Sequence, residues 1–152
     1  MPGHWEGDLL LGTSTSCIAT LVERHSRFVM LVKIPGRRTA EEVNAALTAK
    51  IQTLPAALLK SLTWDQGKEM ADHAQFTIDT GVTVYFCDPR SPWQRGSNEN
   101  TNGLLRQYFP KGKSMAGYTQ DQRDAVADQL NGRPRQTLGW KTPSQALEQA
   151  LR

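Results

Sequence analysis

Three acidic residues stand where carboxylates can do chemistry. Asp8 lies in a short alternating run near the start, Asp65 directly follows LTW, and Glu99 falls in the first turn of a helix-capable segment. The segment around Glu99, FCDPRSPWQRGSNENTNGLLRQYFPKGK from Phe86 to Lys113, is the part that folding requirements explain least. It carries Arg90, Arg95, Arg106, Lys111 and Lys113 against only Asp88 and Glu99. A lone carboxylate in a basic, asparagine-rich setting suits a metal ligand beside a bound polyanion. Helical steps from Glu99 place Asn102, Gly103 and Arg106 on its face, while Thr101, Leu104, Leu105 and Tyr108 make up much of the remainder. Carboxylates gathered at one spot repel each other, and a hard divalent cation, Mg²⁺ or Mn²⁺, is the usual compensation. Two such ions about 3.5–4 Å apart can activate an attacking oxygen and stabilise a departing one at phosphorus. The chain holds 15 acidic residues, so many other triples exist and spacing alone does not single this one out.

The elements that must position these residues can be read from periodicity. His4 to Leu11 alternates as a strand, Cys17 to Glu23 follows after a turn, and Phe28 to Ile34 forms a third. These two hairpin connections give an antiparallel start, and the nearly all-apolar third strand calls for cover on both faces. Thr39 opens a helix through a Thr-Ala-Glu-Glu capping box, with Val43, Ala46, Leu47, Ile51 and Leu54 as its apolar stripe and Pro55 as its limit. Leu62 to Trp64 is a short strand running into Asp65. Glu69 to Thr80 is a helix ending at Gly81, and Val82 to Cys87 is a fifth strand. Capped helices then follow from Thr119 to Leu130, with Val126 and Leu130 inward, and from Thr142 with Pro143 at its first position. Ala146, Leu147, Ala150 and Leu151 make the last apolar stripe. Between those helices NGRPRQTLGWK is a basic, irregular connection. A hairpin start followed by crossover helices predicts an α/β fold with a five-stranded mixed sheet, three strands antiparallel and then two parallel, flanked by helices.

Size and composition narrow the function classes. A chain of 152 residues with 38% hydrophobic content supports one core, so residues 1–152 are expected to form a single domain. A net charge of +3 permits a nucleic-acid partner without demonstrating one. Cys17 and Cys87 lie far apart in apolar runs, which predicts buried free thiols rather than a disulfide or metal framework. Neither a signal-peptide pattern nor an apolar run of about 18 residues is present, so a cytoplasmic protein without a membrane partner is expected.

HWEGDL, LTWDQGKE and DPRSPWQRGSNENTNGLLRQYFPKG, in this order, resemble the catalytic core of bacterial transposases of the insertion-sequence-30 family, part of the integrase-like group with an Asp, Asp, Glu triad. The likeness continues through NGRPRQTLGWKTPSQAL and covers essentially the whole chain. It implies a ribonuclease-H-like fold, a triad of Asp8, Asp65 and Glu99, and two Mg²⁺ or Mn²⁺ ions in the active complex. It also implies a reaction on transposon-end and target DNA. Water frees a 3′-hydroxyl, and that hydroxyl then attacks another strand. Arg106 matches a basic position near DNA in related cores. Arg95, Lys111, Lys113, Arg133, Arg135 and Lys141 are candidate phosphate contacts, and Trp93 can shape the site or stack on a base. The resemblance further implies a homo-oligomer, at least a dimer, on nucleoid-associated DNA in a bacterial cytoplasm. The family's upstream helix-turn-helix has no counterpart here, and the abrupt start MPGHWEGD reads as a trimmed one.

Other residues have plainer expected roles. Trp5 and Trp64 should pack in the core. Glu6 shares a strand face with Asp8 and should serve structure or support the site. His4, His25 and His73 lack metal spacing. Asn98, Asn100 and Asn102 bracket Glu99 and are candidate capping or orienting amides. Two rival readings remain at this stage: a ribonuclease-H-like nuclease without strand transfer, and a catalytically idle DNA-binding or assembly module.

Overall fold

The computed structural model describes residues 2–12, 17–34, 39–64, 73–87, 96–110 and 118–151, with only the backbone described at 96–100. Five strands form one sheet: β1 (His4–Leu11), β2 (Cys17–Glu23), β3 (Val29–Lys33), β4 (Ser61–Trp64) and β5 (Thr83–Phe86). Their spatial order is β3-β2-β1-β4-β5. β1 runs antiparallel to β2, as β2 does to β3, while β4 is parallel to both β1 and β5. This is the expected mixed sheet. The helices are α1 (Ala40–Ile51), α2 (His73–Thr80), α3 (Gly96–Leu105), α4 (Gln120–Asn131) and α5 (Pro143–Ala150), with short 3₁₀ turns at Ala56–Leu58 and Gln136–Leu138. Residues 69–72 of the expected second helix lie outside the described residues.

Alternation along the strands builds two cores. On one face Trp5, Ala19, Leu21, Met30, Val32, Leu62 and Trp64 meet Val43, Leu47 and Ile51 of α1 and Phe76 of α2. On the other, Leu10, Ile18, Val22, Val29 and Leu31 meet Leu105 and Phe109 at the end of α3 and Ala127 and Leu130 of α4. The third strand is buried on both faces, as its composition demands. Each large apolar side chain buried this way stabilises the fold by about 1.5–3 kcal/mol. Trp5 and Trp64 are core residues, and the Trp5 indole donates to the Leu58 carbonyl at 2.9 Å. Both cysteines are buried, and neither forms a disulfide. On α5 the expected stripe is only partly inward: Ala146 and Leu147 are buried, whereas Leu151 is exposed just past the helix end.

Caps set the helix starts. The Thr39 hydroxyl accepts from the Glu42 amide at 3.2 Å, and full reciprocal boxes close at Thr119 with Gln122 and at Thr142 with Gln145. Such a cap is worth about 1 kcal/mol. Helix α4 does something further at the sheet edge. Asn131 accepts from the Val29 amide at 2.8 Å and donates to the Val29 carbonyl at 2.9 Å. Gln120 accepts from the Lys33 amide at 2.9 Å and donates to the Leu31 carbonyl at 2.8 Å. Two side-chain amides thus take the place of a sixth strand, satisfying edge groups that would otherwise invite another chain. Arg123, also on α4, is almost wholly buried and donates to the Tyr118 carbonyl. Burial pulls its pKa down, and Cys17 acts in the opposite direction.

Candidate active site

Asp8 sits in the second half of β1, on the face that packs against α3 and α4, opposite Thr20 of β2. It is partly buried. Its Oδ1 accepts from the Leu9 amide at 2.8 Å, and its Oδ2 accepts from the Asn102 side-chain amide at 3.2 Å. The Leu9 contact is local and the Asn102 contact spans the fold. Together they orient the carboxylate. A partly buried carboxylate oriented by amides is a donor of the kind a hard divalent cation takes.

The second acidic position is approached through β4. This strand pairs with β1 so that Trp64 lies beside Gly7, the residue before Asp8. The pairing depends on Gly7, because a Cβ there would lie 2.4 Å from the Trp64 ring. Asp65 follows Trp64 in the chain and lies outside the described residues. Glu99 belongs to α3, one turn before Asn102, and only its backbone is described. The structure therefore brings to Asp8 the end of the strand that leads into Asp65 and the helix that carries Glu99. Among the described residues no group of three His, Cys, Asp or Glu side chains could hold a metal. Asp65 and the Glu99 side chain are outside that set.

Helix α3 divides as its sequence predicts. Thr101, Leu105 and then Phe109 are buried, while Gly103 is exposed. Open space surrounds the missing Cβ of Gly103, so neither packing nor positive φ requires glycine there. Arg106 extends beside the end of β1 and donates to the Leu11 carbonyl at 3.1 Å and to Phe109 at 3.4 Å. A guanidinium has five N–H donors, so bracing these carbonyls leaves capacity for a phosphate.

The remaining predicted residues fall into two groups. Trp93, Arg95, Lys111 and Lys113 lie outside the described residues. Arg133, Arg135 and Lys141 lie on the connection between α4 and α5. Arg133 donates to the Tyr108 hydroxyl and stands 5.6 Å from the centre of that ring. Lys141 donates to Gln149 at 2.7 Å. Arg135 donates to the Leu130 carbonyl at 3.4 Å, and burial, then the neighbouring Arg133 charge, lower its pKa. Glu6 is buried on the same strand face as Asp8, with Arg24 at 3.9 Å. His4 bonds Ser61 at 2.6 Å, and His73 meets the edge of Phe86. Sequence reasoning passed over Trp140, which is highly exposed. Its available signal was a large aromatic between Gly139 and Lys141 in a basic stretch.

The sequence has relatives among known proteins. The integrase core domain family model matches residues 1–92, a span that contains Asp8 and Asp65 and ends before Glu99. The chain is 59% identical over 149 residues to the transposase InsI for insertion sequence element IS30A of Escherichia coli (strain K12), covering 98% of this chain and 39% of that protein. It is 59% identical over 152 residues to the transposase for insertion sequence element IS1086 of Cupriavidus metallidurans, covering 99% and 44%. With the transposase for insertion sequence element IS4351 of Bacteroides fragilis it shares 36% identity over 152 residues, covering 98% and 45%. The chain thus spans less than half the length of these relatives.

Proposed function

The chain belongs to the integrase core family, and on that premise we propose that it is the catalytic domain of a transposase that cuts DNA and joins the freed 3′-hydroxyl to another strand. The observation that carries this reading is the Asn102 to Asp8 hydrogen bond, which docks the helix bearing Glu99 onto the strand bearing Asp8. Parallel pairing of β4 with β1, which sets Trp64 beside Gly7, supports it, because Asp65 is the next residue in the chain.

In this mechanism Asp8, Asp65 and Glu99 would hold divalent metal, Mg²⁺ or Mn²⁺, which would supply charge neutralisation to a reacting phosphodiester. Asn102 and the Leu9 amide keep the Asp8 carboxylate in one orientation. Arg106, on the same helical face as Glu99, grips a phosphate and fixes the strand's register. Arg95, Lys111 and Lys113 are further phosphate contacts in this reading, and Trp93 shapes the site or stacks on a base. The active assembly is at least a dimer on DNA, since two ends must be joined in concert.

The test uses wild-type and Asp65→Asn protein with Mn²⁺ and two DNA substrates, one intact and one pre-cut with a free 3′-hydroxyl. Wild type should nick the first and join the second. The variant should do neither while binding DNA nearly as well, because the substitution removes charge and little shape. Undiminished cleavage by the variant would sink the triad. Cleavage without joined product would assign the domain to hydrolysis alone.

A further inference from the structure

The connection between α4 and α5 combines features that stability does not require. Residues 131–142 hold Arg133, Arg135 and Lys141 with no carboxylate among them. Trp140 is 68% exposed and has a φ of 69°, left-handed backbone that a bulky side chain rarely adopts. Exposing an indole and holding it in a disfavoured conformation both cost stability, and the core gains nothing from either.

The segment is nevertheless well fixed. Arg135 accepts the Trp140 amide at 2.8 Å and donates its own amide to Lys141 at 2.9 Å. Leu138 donates to Arg135 at 3.0 Å, and Gly139 donates to Gln136 at 3.1 Å. Trp140 is thus presented on a closed, preorganised loop. Beside it a cleft of about 410 Å³ is lined by His25, Thr137, Leu138, Lys141 and Gln149, among others. His25 belongs to the turn between β2 and β3, where the Arg24 amide bonds the His4 carbonyl at the beginning of β1. The loop therefore lies toward the start of β1, whereas β4 leaves the sheet beside Gly7 in the opposite direction.

We propose that this loop is a second DNA-contact surface, on which Trp140 stacks against an unpaired base while Arg133, Lys141 and His25 hold the adjoining phosphates. The inference rests on the DNA reading above and adds a substrate feature to it. Every base offers a π-face, so an exposed indole flanked by cations suits single-stranded or frayed DNA of any sequence.

The deciding experiment compares wild type, Trp140→Gly and Trp140→Phe by fluorescence anisotropy at low salt, using labelled oligothymidylate and a blunt duplex. Glycine relieves the left-handed strain, so Trp140→Gly should melt no lower than wild type. It should nevertheless bind the single strand about tenfold more weakly, with a smaller loss on the duplex, and phenylalanine should retain most of the affinity. Wild-type single-strand affinity in the glycine variant would overturn the inference, as would equal loss on both probes or a lowered melting temperature. Cleavage by Asp65→Asn, run in parallel, separates the two readings. Its persistence would remove the catalytic assignment while leaving the stacking comparison to stand or fall on its own.

Discussion

Asn102 is the residue through which the geometry of Asp8 can be altered without touching the carboxylate. Its amide donates to Asp8 across the fold from a half-buried position on α3. Replacing Asn102 with leucine should lower Mn²⁺-dependent cleavage by about 10–100-fold, the scale found when an orienting partner of a metal ligand is lost. The Mn²⁺ concentration needed for half-maximal rate should rise as well. Thermal stability should barely change. A merely structural asparagine would give the reverse pattern, with a lower melting temperature and an unaltered metal requirement.

At the scale of elements, two glycines and one clamp make separable predictions. Gly7 lets the Trp64 ring lie close against β1, and a methyl group there meets ring carbons at 2.4 and 2.5 Å. Overpacking of this kind costs about 1–3 kcal/mol, so Gly7→Ala should lower the urea midpoint and impair cleavage together, because β4 leads into Asp65. Gly103 predicts the opposite. With open space around it on a helical face, Gly103→Ala should raise stability by about 0.5–1 kcal/mol. If that face approaches DNA, the same variant should cleave more slowly while melting higher. The Asn131 clamp concerns folding alone. Asn131→Leu leaves the amide and carbonyl of Val29 without their partner, at about 1–3 kcal/mol for each buried group. Urea denaturation should register that loss.

Across the whole molecule, charge is arranged rather than abundant. A net +3 is modest, yet Arg133, Arg135 and Lys141 share one connection and Arg106 stands beside the end of β1. Each phosphate contact contributes about 0.7 to the slope of log affinity against log salt on single-stranded DNA. Substituting Arg133 and Lys141 together with glutamine should therefore flatten that slope by about 1.4. An unchanged slope would remove both from the DNA interface. Binding should weaken uniformly across sequences, because phosphate contacts carry no base information.

The sequence by itself determined what neighbouring residues encode. Period-two alternation marked β1 to its observed bounds, β2 was legible as the strand after the turn, and Thr39, Thr119 and Thr142 announced the helices they cap. The apolar third strand announced a sheet covered on both faces. Asn102 was legible only as one of three candidate amides, because helical spacing cannot say which one meets a strand far away in the chain. Tertiary structure decided that pairing, and it decided the clamp by which α4 closes the sheet edge. It also showed Arg106 bracing Leu11 and Phe109, and Trp140 exposed on a fixed loop. The physical division is one of range. Propensity, capping and alternation act within a few residues, whereas a contact between distant residues exists only after the sheet has set its order and register.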